Sequence, residues 1–551
     1  MNKLVLFIFV LPLFFAACSS IDNRGTIAEL RNRQIEIKGE EIVDGLDKAM
    51  ASYQRFLEET PDSALSPEAI RRLADLKVEK EYGFVADSKS ETGETLTLTA
   101  PESAVRPEVA LSDPQPSTVP AEIESETDFE RRTTLNQPVP LTAATDSEVD
   151  PAIDDLEKAG PLEAISLYQK LLDEYPLYQR NDQVLYQMSR AYEELGRIEA
   201  AMVIMEQLVR QYPQSRYIDE VQFRRAEYFF SHRKYLDAEE AYTSIVDLGL
   251  GSSFHPLALY KLGWTFYKQE LYEEAMHKFI TLLDYKVSIG YDFEQTEDKP
   301  ERKRVDDTFR VISLGFSYLG GAESVVDYFS RYGQRDYEDN VYSNLGEYFL
   351  TKRRYSDAVD TYTAFVSRNQ FHRKAPLFHM RVIEINTAGG FPSLVVEAKK
   401  SFASNYGLTT DYWHHFDPDD RPEVIAYLKT NLTDLANHYH ALYQNPKKDK
   451  EKSVNFAEAH HWYRDFLISF PSEEETPVLN YQLADLLLEN RSFVEAAVEY
   501  EKTAYSYDPH EQSSKAGYAA VYSYRQQLAL VVEEEKDPVK REVVRSSLTF
   551  A

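Results

Sequence analysis

From Pro161 onward an alanine is followed four residues later by a bulky, mostly aromatic side chain, and the pair returns at a fixed interval. Ala164/Tyr168, Ala201/Met205, Ala238/Tyr242 and Ala275/Phe279 lie 37 residues apart each time, and Ala459/Tyr463 to Ala496/Tyr500 is again 37. Ala358/Tyr362 and Ala398/Phe402 fall between them. In a chain with 13% aromatics the pairing alone means little; the interval is what constrains the fold. Twelve residues before the alanine stands a small residue, at Ser189, Ala226, Gly263, Gly346 and Ala484. Twelve residues after it, prolines fall at Pro176, Pro213 and Pro471.

Such a unit reads as a helical hairpin. The small residue on the first helix (A) allows the alanine on the second (B) to approach closely, and the large side chain one turn later fills the space beside them. Proline ends helix B because it cannot continue the hydrogen-bond ladder. One hairpin cannot bury both of its faces, so hairpins must stack, and an all-α superhelix follows. Leu262-Gly263, Phe266, Ala275 and Phe279 in one unit, and Leu345-Gly346, Phe349, Ala358 and Tyr362 in another, resemble the tetratricopeptide repeat (TPR). The 37-residue period exceeds the family's 34 and resembles the repeats of bacterial envelope TPR lipoproteins. The resemblance implies a right-handed superhelical solenoid of stacked hairpins. It spans about 350 residues, strongly at 160–285, 340–366 and 455–509.

Lys3, an apolar run from Leu4 to Phe15 and the small residues Ala16-Ala17-Cys18 are the three parts of a secretory signal. The run is too short to span the ~30 Å of a bilayer's hydrocarbon. Cys18 is the chain's one cysteine, which excludes a disulfide framework and any cysteine-built metal site. Its position resembles the bacterial lipobox, which implies acylation at Cys18, worth ~0.8 kcal/mol per buried methylene. Ser19, where aspartate would retain a lipoprotein in the inner membrane, implies a palmitate-type anchor at the periplasmic face of the outer membrane.

Residues 24–57 and the stretch opened by Ser66-Pro67-Glu68 read as helices. Ala49/Tyr53/Pro61 repeats the helix-B pattern, so this piece reads as a detached hairpin half. Residues 87–150 then hold 14 acidic and four basic side chains, seven prolines and one aromatic, Phe129. Too little apolar surface is available to offset ordering entropy, so the stretch is expected to be a disordered spacer with a reach of roughly 45 Å. The expected organisation is therefore 1–17 lipoprotein signal, 18–86 lipidated helical segment, 87–150 linker and 151–290 repeat block. A surface insertion at 291–304, degenerate TPR-like hairpins over 305–443, a second insertion at 444–453 and a C-terminal repeat with capping helix over 454–551 complete it.

A net charge of −31 (92 acidic against 61 basic residues) disfavours nucleic acid. No phosphate-binding loop, nucleophile elbow, H-E-x-x-H or dinucleotide fingerprint occurs, so no enzyme, cofactor or small-molecule substrate is expected. His414, His415, His438, His440, His460 and His461 cluster in sequence. Adjacent and i+2 histidines leave a helix on different sides, so no metal site is expected. The candidate site is a groove. The resemblance places helix A on the concave wall, where Tyr260, Trp264 and Tyr267, then Phe223, Glu227 and Phe230, then Tyr186, Arg190 and Glu193 form stripes. Aromatic anchors with a few charges suit a peptide or helix; the competing reading is that these rings pack between helices. The expected function is a non-enzymatic, lipid-anchored scaffold binding other envelope proteins, organising a transport, motility or energy-coupling complex. The alternative is a cell-wall or polysaccharide factor stacking sugars on the aromatic groove.

Overall fold

A computed structural model of the chain describes residues 45–82, 124–135, 159–295, 298–534, 538–540 and 542. Helices α1 (Gly45–Glu59) and α2 (Ser66–Tyr82) precede a short helix α3 (Glu126–Leu135). Then come α4 (Ala159–Glu174), α5 (Asn181–Glu194), α6 (Ile198–Gln211), α7 (Ile218–Ser231), α8 (Tyr235–Asp247), α9 (His255–Lys268) and α10 (Tyr272–Ser288). They are followed by α11 (Lys299–Leu319), α12 (Ala322–Tyr332), α13 (Glu338–Thr351), α14 (Tyr355–Arg368), α15 (Ala375–Ala388) and α16 (Pro392–Tyr406). The last are α17 (Pro422–Gln444), α18 (Lys452–Ser469), α19 (Thr476–Glu489), α20 (Phe493–Tyr505) and α21 (Ser513–Glu534). Among the described residues there is no strand, and the fold is an all-α helical solenoid. The chain divides into two units, residues 1–106 with 144–208, and 107–143 with 209–551.

Each hairpin is built on the repeat's own residues. The helix-B alanines Ala164, Ala201, Ala238, Ala275, Ala358, Ala459 and Ala496 are fully buried. The small residue of helix A lies under the large side chain of helix B: a methyl added at Gly263 would meet the Phe279 ring at 2.9 Å, and one at Gly346 the Tyr362 ring at 2.5 Å. Where that side chain is tyrosine, its hydroxyl needs a partner in the core. In three units a helix-A carboxylate fifteen residues earlier supplies it: Tyr242 donates to Glu227, Tyr362 to Glu347 at 2.8 Å, and Tyr500 to Asp485, whereas Tyr463 donates to Asn437 at 3.1 Å. The turn between helices A and B is also repeated. Arg233, Glu270, Arg353 and Arg491 hold φ near +60°, each five residues before the helix-B alanine, where Gly196 stands in an earlier unit. A left-handed non-glycine residue costs about 1–2 kcal/mol. The next amide offsets this by bonding back to an orphan carbonyl of helix A, as in Lys234 to Phe229 at 2.8 Å and Ser492 to Leu487 at 2.9 Å. Helices α4, α6 and α18 end two residues before Pro176, Pro213 and Pro471.

In the first unit the opening hairpin is split. Helix α2 packs directly against α4, although 76 residues (83–158) separate them in sequence. Tyr168 of α4 donates to Asp75 of α2 at 2.7 Å, the same tyrosine–carboxylate latch across 93 residues of chain. Arg71, almost fully buried, completes the cluster, bonding Asp75 at 2.5 Å and Glu68 at 2.7 Å. Tyr178 donates to Glu68 as well. Burial alone would raise the Glu68 carboxyl, but hydrogen bonds from Arg71, Tyr178 and Arg72 outweigh it and hold it at about 2. At Asp75 burial wins over Arg71, and its carboxyl sits above the ordinary range.

Two expectations change, while residues 83–123 and 136–158, most of the expected linker, lie outside the described residues. Residues 126–135 within it are helical rather than structureless; the reason lies in the partners that helix finds elsewhere in the chain. The insertion expected over 291–304 ends early, because Asp298 accepts from the Glu301 amide and caps α11, with Pro300 in its first turn and Glu301 paired to Lys286. Helix α21 covers the stretch read as a cap, whereas the signal sequence, Cys18 and residues 24–44 lie outside the described residues.

Two outcomes are expected. Gly346→Ala forces the Tyr362 ring aside and costs roughly 1–3 kcal/mol in denaturant unfolding, whereas Gly251→Ala, which meets open space, leaves stability unchanged. Glu68 has a depressed carboxyl, so its contribution is full above its unfolded value of 4.5 and fades as pH falls towards 2. The stability gap between the unaltered chain and Glu68→Gln should therefore shrink over that window, read by thermal melts at stepped pH.

Candidate helix-binding groove

Helix α3 starts on local sequence chemistry. Ser125 caps it, accepting from the Asp128 amide at 3.1 Å while its hydroxyl donates to the Asp128 carboxylate at 2.7 Å. Glu126 and Asp128 sit at the positive end of the helix dipole and Arg132 in the last turn. Ten residues are nonetheless too few for a stable isolated helix, for which ~12–15 are already marginal. Its stability comes from the second unit, where it lies against helices α9, α11 and α13.

Phe129 is the anchor. Its ring is fully buried, 6.0 Å from Trp264 of α9, with the Arg310 guanidinium of α11 at 4.1 Å over its face. Arg132 forms a bidentate pair with Asp307 of α11 at 2.7 and 2.8 Å and also bonds Glu124 at 2.8 Å. Arg310 reaches the Glu124 carboxylate at 2.7 Å and its carbonyl at 2.8 Å. Hydrogen bonds from Arg132 and Arg310 hold the Glu124 carboxyl below its ordinary range against a little burial. Glu126 pairs with Lys352, just past α13, at 2.5 Å, which raises that ammonium, and accepts from Tyr348 at 3.2 Å. Glu130 pairs with Lys268 of α9. At the far end the buried Lys261 ammonium donates to the Thr134 carbonyl at 3.1 Å, one of the acceptors a helix C-terminus leaves open. Lys261 is itself held by Glu227 at 3.0 Å and lies 5.7 Å over the Phe230 ring.

The predicted stripes map onto this site unevenly. Trp264 faces Phe129, and the Tyr260 hydroxyl lies beside Thr133. Burial pushes that hydroxyl up to about 12. Both rings also pack on Phe279, and Tyr267 packs on Tyr272 and Tyr318. Glu227 and Phe230 stand behind Lys261. Phe223 is elsewhere, between Tyr242 and Phe254. Tyr186 and Arg190 belong to the first unit, where the guanidinium lies 5.9 Å over the ring. These aromatics are buried, so none presents an open face for a sugar. The charged half of the groove (Lys261, Lys268, Asp307, Arg310 and Lys352) escaped the sequence reading. It carries no periodic signal, and its ligand lies more than 120 residues upstream in the chain.

The six clustered histidines do not converge. His440 bonds the Tyr463 hydroxyl at 3.0 Å, the His415 ring lies tilted 4.4 Å from that of Phe371, and His461 and His414 each approach a carboxylate of their own segment. Among the described residues no group of three or more histidines, cysteines or carboxylates is arranged to hold a metal.

Comparison with known proteins gives two family matches. Residues 161–221 and 223–283 each match a tetratricopeptide repeat model, so this part of the chain contains tetratricopeptide repeats. No curated protein matches. Among solved structures, a tetratricopeptide repeat protein from Parabacteroides merdae aligns at 12% identity and a TM-score of 0.22, over 50% of this chain and 96% of that one. A structure of Naa15/Naa10 bound to HypK-THB aligns at 11% identity and 0.26, over 91% of this chain and 63% of that one.

Phe129→Ala removes the anchor and should cost the α3 seat about 1.5–3 kcal/mol. Amide exchange over residues 126–135 should rise to that of a free peptide while the protection of α9, α11 and α13 is kept.

Proposed function

We propose that the protein is a non-enzymatic scaffold, lipid-anchored through Cys18 at the periplasmic face of the outer membrane, whose helical body binds other envelope proteins. Tetratricopeptide repeats support a role in protein–protein interaction, and the lipobox-like start supports the address. The single observation that carries the binding mode is the seat of α3. A helix is held across three successive A helices by one buried ring and a set of charge-assisted hydrogen bonds, which is the geometry of helix-in-groove recognition. Stacked repeats present such faces in series, so several partners can be held side by side without any bond being made or broken. Among the described residues no helix is long and apolar enough to cross a membrane, so attachment in this reading rests on the acyl chains.

The test is cell fractionation with proximity labelling. The unaltered chain should pellet with outer membranes and label a reproducible set of periplasmic and outer-membrane proteins. Cys18→Ser should leave the membrane pellet and lose most of that set. Unchanged partition of Cys18→Ser would remove the anchor; labelling of glycan-processing material alone would favour the polysaccharide reading.

A further inference from the structure

The groove already contains a ligand, and that ligand describes what else fits. Resting on the scaffold reading above, we propose that the face formed by α9, α11 and α13 is a docking site for a short amphipathic helix of a partner protein, and that α3 is its internal competitor. The partner helix has carboxylates in its first turn, a phenylalanine at its centre and an arginine three residues later.

Two features of the site set this chemistry. The first is charge. In a chain of net charge −31, the groove gathers Lys261, Lys268, Arg310 and Lys352, and each meets an oxygen of the 124–135 segment. Asp307 is the anion placed among them, and it takes Arg132 through both of its oxygens. A ligand must therefore carry carboxylates in its first turn and one residue past its ring, where Lys268 meets Glu130, and an arginine three residues past the ring for Asp307. The second is the hole for one ring, walled by Trp264 and roofed by Arg310. These demands fix the direction in which a helix lies as well as its composition.

The seat of α3 is also weak enough to be vacated. Phe129 is fully buried, and burial of such a ring is worth about 1.5–3 kcal/mol. The ion pairs lie partly in solvent, with Arg132 29% and Lys352 45% exposed, so each contributes ~1 kcal/mol or less and is screened by salt. Against this stands the cost of ordering a helix too short to persist alone. Attachment to the same chain adds to these contacts an advantage in local concentration that a free partner lacks. A partner helix with additional contacts, or one presented in several copies, overcomes that advantage.

The experiment uses the purified full chain and a fluorescein-labelled synthetic peptide of residues 122–137, read by fluorescence anisotropy. The peptide should bind Phe129→Asp at least tenfold more tightly than the unaltered chain, because the internal competitor has been dislodged. Adding Lys268→Glu with Lys352→Glu, both partly exposed, should abolish that binding, and a peptide carrying Phe129→Ala should lose at least tenfold. Raising salt from 50 to 300 mM should weaken the complex. Equal affinity for the unaltered and Phe129→Asp chains overturns the proposal, as does binding that ignores the two lysine reversals. Should Phe129→Asp melt as an unfolded chain, Arg132→Ala takes its place with the same expected direction. Light scattering covers the other occupant: an unaltered chain that is dimeric, and monomeric on Phe129→Asp, would assign the groove to a second copy and overturn the partner helix. If the peptide fails while proximity labelling still returns envelope proteins, the docking inference falls and the scaffold reading stands.

Discussion

The contact on which the structure depends is the seat of one large helix-B side chain over one small helix-A residue. At Gly263 and Gly346 the ring occupies the space where a Cβ would be, so the two backbones approach as closely as the ring's thickness allows. That spacing leaves the neighbouring alanine fully buried and sets the crossing of the two helices. Tyrosine at this place adds a polar demand, and the fold meets it with a carboxylate fifteen residues earlier, at Glu227, Glu347 and Asp485. A buried hydroxyl without that partner would cost about 1–3 kcal/mol. The latch therefore fixes the register of the hairpin as well as its stability.

The same latch explains how an excursion of 76 residues can sit inside one hairpin. Tyr168 and Asp75 meet as Tyr242 and Glu227 do, with Arg71 buried between Glu68 and Asp75 to neutralise a pair of carboxylates in the core. Loop-closure entropy grows only with the logarithm of length, so a long insertion at this turn costs a few kcal/mol at most. The contacts of α2 with α4 repay it.

Within that segment, residues 124–135 show how far a weakly structured sequence depends on its surroundings. Its local signals are a Ser125 cap, an acidic first turn and one aromatic. They are enough to bias the segment towards helix and too few to hold it there. Lys261 at one end and Lys352 at the other supply the missing partners, and Phe129 is buried between Trp264 and Arg310. The groove and its ligand complement each other in sign, and each is ordinary when taken alone.

The 37-residue interval, the small-residue and proline positions, and the alanine–aromatic pairs determined by themselves that residues beyond 160 form stacked helical hairpins. The reason is that these signals are local: each acts within one turn or one hairpin, and periodicity reports it directly. Ala49/Tyr53/Pro61 and Ser66-Pro67 marked two N-terminal helices, but Ala49 and Tyr53 are only half-buried on α1, and the half that completes the hairpin with α4 is α2. Tertiary structure decided what those signals could not carry. Only it joined α2 to α4, turned 126–135 into a helix, and separated Trp264, which meets that helix, from Phe223, which packs between its neighbours. It also brought Asp307 and Arg310 beside Arg132 and Glu124. Contacts between residues more than 120 apart leave no period in a single sequence, and an i, i+4, i+7 stripe does not say on which side of a stacked helix it falls.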